Sequence, residues 1–206
     1  MVERIRMRAF RSLMGVAAVA VLAALGPAPS ASASTDDSEA IAKRVYDSAN
    51  VSEALAELTT DERELFIDRL DEWTAVGSES PAMQRKPTAQ EASLGAEALA
   101  GGCWYKYHYK EWYDGPFHTG NTWMQANWCS NGSSITSYSL TNRGGQGLRG
   151  IAYKGLGGKY VSNVGWEVRQ AQQFNFGIGW ASAQPCMQNR GGRTGLYSYR
   201  SSCNLG

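Results

Sequence analysis

The chain's two histidines, His108 and His118, stand ten residues apart with Lys110 between them. Two imidazoles and an ammonium could hydrolyse a phosphodiester, one imidazole taking a proton and the other returning it. The carboxylates Glu111 and Asp114 lie in the same stretch, and Glu167 follows downstream. A glycosidase needs two carboxyl groups flanking the bond it breaks. None of these sets has the spacing of a motif. Asp114 opens the turn tripeptide Asp-Gly-Pro, where an aspartate caps its own backbone. Glu111 neighbours Lys110, His108 alternates with lysines as a solvated residue would, and His118 follows a loop signal. No catalytic residue is assigned. A small extracellular hydrolase using His108 or His118 is the third of three readings carried forward.

Recognition is the chemistry better served by these residue types. The run CWYKYHYKEWYDGPF, Cys103 to Phe117, holds seven aromatics in fifteen residues. Its period is two, so it reads as a strand. One face carries Tyr105, Tyr107 and Tyr109. The other carries Trp104, Lys106, His108, Lys110 and Trp112. A half-buried antiparallel strand buries one row and wets the other. Lysine is seldom buried, so the Trp104–Trp112 row is expected to face solvent as a ligand-contact strip. Tryptophan beside cations makes a stacking platform.

This strand needs a scaffold, and the remaining sequence supplies one. NTWMQANWC alternates again, the Asn131-Gly132 pair signals a hairpin, and ITSYSL resumes the strand. IAYK and KYVSN read as short strands separated by glycines. VGWEVRQAQQF alternates, and the C-terminal stretch reads as a hairpin turning at Gly191-Gly192. Seven or eight short strands at this spacing predict an all-β domain over 102–206, an antiparallel β-sandwich or small barrel. Ahead of it, an acidic segment over 34–75 reads as short helices. Ile41, Val45 and Ala49 are four apart, and Thr59 with Glu62 has capping-box spacing. So little apolar surface cannot form a core alone. Small residues, prolines and Gly101-Gly102 mark 76–101 as a solvated linker.

Residues 1–33 have the parts of a secretory signal peptide: Arg4 to Arg11, the apolar run Leu13–Leu25, and Ala31-Ser32-Ala33. Thirteen apolar residues rise about 20 Å as a helix, short of a ~30 Å bilayer core. The expected destination is extracellular, with no membrane span after cleavage. In an oxidising compartment, four cysteines imply two disulfides. Three pairings are open, and Cys103–Cys129 with Cys186–Cys203 is preferred because each would join neighbouring strands. No Cys-x-x-Cys or His-x-x-x-His spacing suggests a metal, and no cofactor motif occurs. The glycine-rich stretch 144–158 lacks the Gly-Lys-Ser/Thr ending of a phosphate loop.

Charge divides along the chain. Residues 34–101 carry fifteen acidic and six basic side chains, a balance of −9; residues 102–206 carry ten basic and three acidic, a balance of +7. The acidic segment is therefore expected to contact the basic domain, either permanently or as a pro-segment removed by proteolysis. A +7 domain suits an anionic cell-surface polymer. Its cations are dispersed rather than clustered, which argues against nucleic acid.

The stretch NWCSNGSSIT, Trp128 to Thr136, followed by GWEVRQAQQF, resembles uncharacterised small secreted proteins of high-GC Gram-positive bacteria. The resemblance covers the C-terminal half, implies a disulfide-bonded β-sandwich, and carries no assigned activity. The leading expectation is a secreted, non-enzymatic binding module for cell-wall or other extracellular glycan. The second is a pro-protein releasing a cationic antibacterial or inhibitor domain.

Overall fold

The structure, a computed structural model, describes residues 35–78, 80–96 and 101–206. The expected signal peptide lies outside the described residues. Three helices come first: α1 (Thr35–Tyr46), α2 (Val51–Ala56) and α3 (Thr60–Leu70). The capping box read from sequence starts α3, with Thr59 Oγ1 accepting from the Glu62 N–H and Glu62 Oε2 from the Thr59 N–H. None of the described helices is long and apolar enough to cross a membrane.

Two antiparallel sheets follow. In the first, β3 (Gly102–Asp114), β4 (Phe117–Ser130) and β5 (Ile135–Gly147) form a meander. The free edge of β3 pairs with two short strands, β1 (Thr74–Val76) and β2 (Met83–Arg85). The second sheet runs β10 (Tyr197–Arg200), β9 (Cys186–Gly192), β7 (Glu167–Ile178) and β6 (Ala152–Asn163), with β8 (Ala181–Ala183) also on β7. The Asn-Gly hairpin forms as read. Gly132 takes φ +91°, and Asn131 Oδ1 accepts the N–H groups of Ser133 and Ser134. The glycines between IAYK and KYVSN do not divide them; they are bulges within β6.

Both disulfides take the preferred pairing. Cys103 and Cys129 sit opposite each other on β3 and β4, whereas Cys186 on β9 ties down the C-terminal tail at Cys203. Closing loops of 26 and 17 residues stabilises the fold by about 3 kcal/mol each in the chain-entropy account.

The helices do not stand apart from the sandwich. Ile41, Val45, Leu55, Phe66, Leu70 and Trp73 share one buried cluster with Trp112, Phe117, Phe174, Phe176 and Ile178. The Tyr46 ring lies 5.3 Å from Phe117 and the Trp73 ring 5.6 Å from Phe176. The apolar stripe that is too small for its own core thus completes another. The polar joint between the two parts runs against their net charges. Arg69, from the acidic segment, reaches the buried Asp114 at 2.5 Å, and the Tyr46 hydroxyl donates to the same carboxylate at 3.0 Å. Asp114 therefore anchors a helix rather than capping its own turn.

Residues 76–101 differ from a solvated spacer. Within them, β2 pairs with Cys103 to Tyr105, and Arg85 grips Glu91 through two hydrogen bonds of 2.7 and 2.6 Å. That Arg–carboxylate pair holds the Glu91 carboxyl down at about 2. A helical turn, α4 (Ala89–Glu91), leads from it over the Cys103–Cys129 bridge.

Candidate functional site

The two rows of β3 take the faces opposite to those expected. Lys106, His108, Lys110 and Trp112 are buried between the sheets, and Trp104 is half-buried against Trp128. The tyrosine row faces outward, with Tyr107 at 42 % and Tyr109 at 43 % exposure. The reason lies far along the chain. Lys106 Nζ sits 4.8 Å from the Tyr197 ring and Lys110 Nζ 4.2 Å from the Tyr199 ring, both rings offered by β10. Each ammonium also donates to the segment between β1 and β2: Lys106 to the carbonyl and hydroxyl of Ser80, Lys110 to the Gly77 carbonyl. Desolvated cation–π contacts contribute about 2 kcal/mol each, offsetting part of the burial cost. His108 Nε2 lies 2.9 Å from Asn189 Oδ1, with the Tyr197 and Tyr199 rings beside it. This row builds the interior and does not form a solvent-facing strip.

The hydrolytic sets are not assembled. His108 and Lys110 point into the sandwich, while His118 stacks on Tyr113 at 4.9 Å and bonds Asn121 at 2.8 Å. Of the three carboxylates, Asp114 is engaged by Arg69 and Tyr46, and Glu167 lies on the second sheet between Arg169 and Arg190, both at 2.7 Å. Burial pushes the Asp114 carboxyl above its ordinary value despite Arg69. Glu91, Cys103 and Cys129 approach one another closely enough for a metal site. The two sulfurs, however, are spent in a disulfide and the carboxylate is held by Arg85.

What the fold does offer outward is a built face on the first sheet. Across β3 and β4, Tyr105 faces Asn127, Tyr107 faces Gln125, and Tyr109 faces Trp123. Across β4 and β5, Asn127 faces Ser139, Gln125 faces Thr141, and Trp123 faces Gly144. The Trp123 indole lies flat across β5 because position 144 has no side chain; a Cβ there would come within 2.6 Å of the ring. The amides are tied together, Gln125 donating to Asn127 Oδ1 at 2.9 Å and Asn127 to Thr141 Oγ1 at 3.0 Å; Asn127 itself is buried, so Gln125 is the amide this face presents. Alternate strand residues are about 7 Å apart, so the Tyr105–Tyr109 row spans roughly 14 Å. None of these eight side chains is charged. The face is walled by residues 88–94 at one end, and along the β3 edge by a groove of about 450 Å³ lined by Gly77, Ser78, Ser80, Tyr107, Tyr109 and Glu111. A larger groove, about 650 Å³, runs over Trp166, Arg190, Arg193 and Leu196 on the other sheet.

Sequence reasoning found the tyrosines but assigned them to the core. It did not connect them with Trp123, Gln125 and Thr141, whose partnership depends on register. Comparison with protein-family models, with curated proteins and with solved structures yields no match.

Proposed function

We propose that this protein is a secreted, non-enzymatic glycan-binding module, and that its contact surface is the outer face of the first sheet. The supporting observation is the chemistry of that face. The exposed rings of Tyr107 and Tyr109 and the flat Trp123 indole lie beside the immobilised Gln125 amide and the hydroxyls of β5, and no charged side chain interrupts the eight residues. Sugar rings present apolar C–H faces that stack on aromatics, and hydroxyls that pair with amides. An anionic polymer would call instead for exposed cations, and β3 holds its two lysines inside. The disulfides agree with an oxidising, extracellular setting. The buried cluster shared by helices and sheets argues against a releasable pro-segment, and the separation of His108 from His118 argues against a hydrolase.

Co-sedimentation with insoluble peptidoglycan, chitin and cellulose tests the reading. The wild-type chain is expected to pellet with at least one of them, and the Tyr107→Ala/Trp123→Ala double variant to stay in the supernatant with unchanged melting temperature. Equal pelleting of the two proteins would remove the reading.

A further inference from the structure

The sandwich has two unlike ends. At one, the turns after β3, β5 and β7 meet the acidic helices. Arg69 and Tyr46 hold Asp114, Asp47 pairs with Arg149 at 3.5 Å, and Trp180 Nε1 donates to the Leu55 carbonyl at 3.3 Å. At the other end, three hairpin turns are joined through their backbones: 131–134 between β4 and β5, 164–166 between β6 and β7, and 193–196 between β9 and β10. The Arg193 N–H donates to the Trp166 carbonyl at 3.0 Å, and the Ile135 N–H to the Gly165 carbonyl at 2.7 Å. Leu196, Trp166 and Val164 lie on these turns, exposed at 76, 55 and 42 %, and Leu196 is the most exposed large apolar side chain among the described residues. We infer that this end docks on an anionic lipid bilayer, with Leu196, Trp166 and Val164 entering the headgroup region and Arg193 pairing with lipid phosphate.

Charge selects this occupant. Residues 35–72, which form the helical end, carry twelve acidic and four basic side chains, a balance of −8. The turn end has the opposite sign. Arg193 is exposed and reaches only as far as the Ser133 carbonyl, at 3.4 Å. Behind it Arg169 and Arg190 share Glu167, which leaves one positive charge in surplus. An anionic surface therefore attracts the apolar end and repels the helices, which fixes the orientation of approach. Single exposed apolar residues are ordinary, but three on two bonded turns make a patch, and an indole is at home where lipid meets water. Trp180, also exposed, is differently placed: it is tied to Leu55 and lies 5.6 Å from the Arg63 guanidinium. A second copy docking end to end would bring two Arg193 side chains together about the two-fold axis, an unfavourable pairing. The bilayer contact is separate from the Tyr107–Trp123 face and does not rest on the glycan reading.

Flotation with vesicles tests the inference, using phosphatidylglycerol mixed with phosphatidylcholine against phosphatidylcholine alone. The wild-type chain is expected to float with the anionic vesicles and more weakly with the neutral ones. Trp166→Ser/Leu196→Ser, with an unchanged melting temperature, should bind the anionic vesicles about a hundredfold more weakly, because two apolar side chains no longer leave water. Arg193→Gln should weaken binding to anionic vesicles about fivefold and leave binding to neutral ones as it was. Absence of flotation would overturn the inference. So would anionic-vesicle binding that survives the Trp166/Leu196 double substitution, since the attraction would then be one of charge alone. A concentration-dependent dimer in sedimentation, lost in that double variant and unaccompanied by vesicle binding, would overturn it in favour of a second copy of the chain.

Discussion

At the scale of single residues, exposure and chemistry separate the two rows of β3. Tyr107 and Tyr109 touch little that holds the fold, so truncating either should leave the melting temperature within a degree or two while weakening glycan retention. Lys106 and Asp114 are the opposite case. Asp114→Ala strips the buried Arg69 of its counter-ion and Tyr46 of its acceptor, and should destabilise the chain by about 3 kcal/mol, read by urea denaturation. Burial holds the Asp114 carboxyl above its ordinary value. Acid therefore does not unlock this joint; the folded state takes up the proton more readily than the unfolded one. The period-two pattern of β3 was legible in the sequence. Its inside and outside were not, because the rule that lysines face water is overridden by Tyr197, Tyr199 and Ser80, none of them nearby in sequence. Trp104 and Trp112 at the two ends of the lysine row were the local sign of an inward face.

Among the elements, the short strand β2 and α4 answer to pH. Arg85 holds Glu91 down at about 2, from an ordinary 4.5. The pair thus contributes stability above about pH 4.5, and that contribution is lost as pH falls toward about 2, with the folded chain binding its proton last. Amide exchange in β2 and at the start of β3 should accelerate across that window. In Glu91→Gln the same amides should be less protected at neutral pH and show no comparable acid step. Residues 76–101 look like a spacer because their serines, glycines and prolines have no period of their own. Three-residue strands are templated by the partner edge, and only β3 supplies the template. The hairpin at Asn131-Gly132 and the capping box at Thr59, by contrast, are written in contiguous residues, and both were readable.

For the whole molecule, the central point is that the acidic helices belong to the same core as the sheets. A fragment of residues 102–206 would expose Phe117, Phe174, Phe176 and Ile178, which the helices cover. It should lose its near-ultraviolet circular dichroism or aggregate, even with both disulfides formed; a well-folded fragment would revive the pro-protein reading. Opposite net charges suggested the contact, but the principal joint is apolar, with an ion pair of reversed sense at Arg69 and Asp114. Charge totals are blind to such detail. The helices thereby complete the core behind the sheet whose other face carries Tyr107, Tyr109 and Trp123. That division of labour is the claim to test first, by mapping amide and indole chemical shifts during titration with a soluble glycan oligomer. The account predicts that Tyr107, Tyr109, Trp123 and Gln125 shift together, while Lys106, His108 and Tyr199 stay in place. Shifts centred on Lys106, His108 and Lys110 would contradict it and return the site to the inner face.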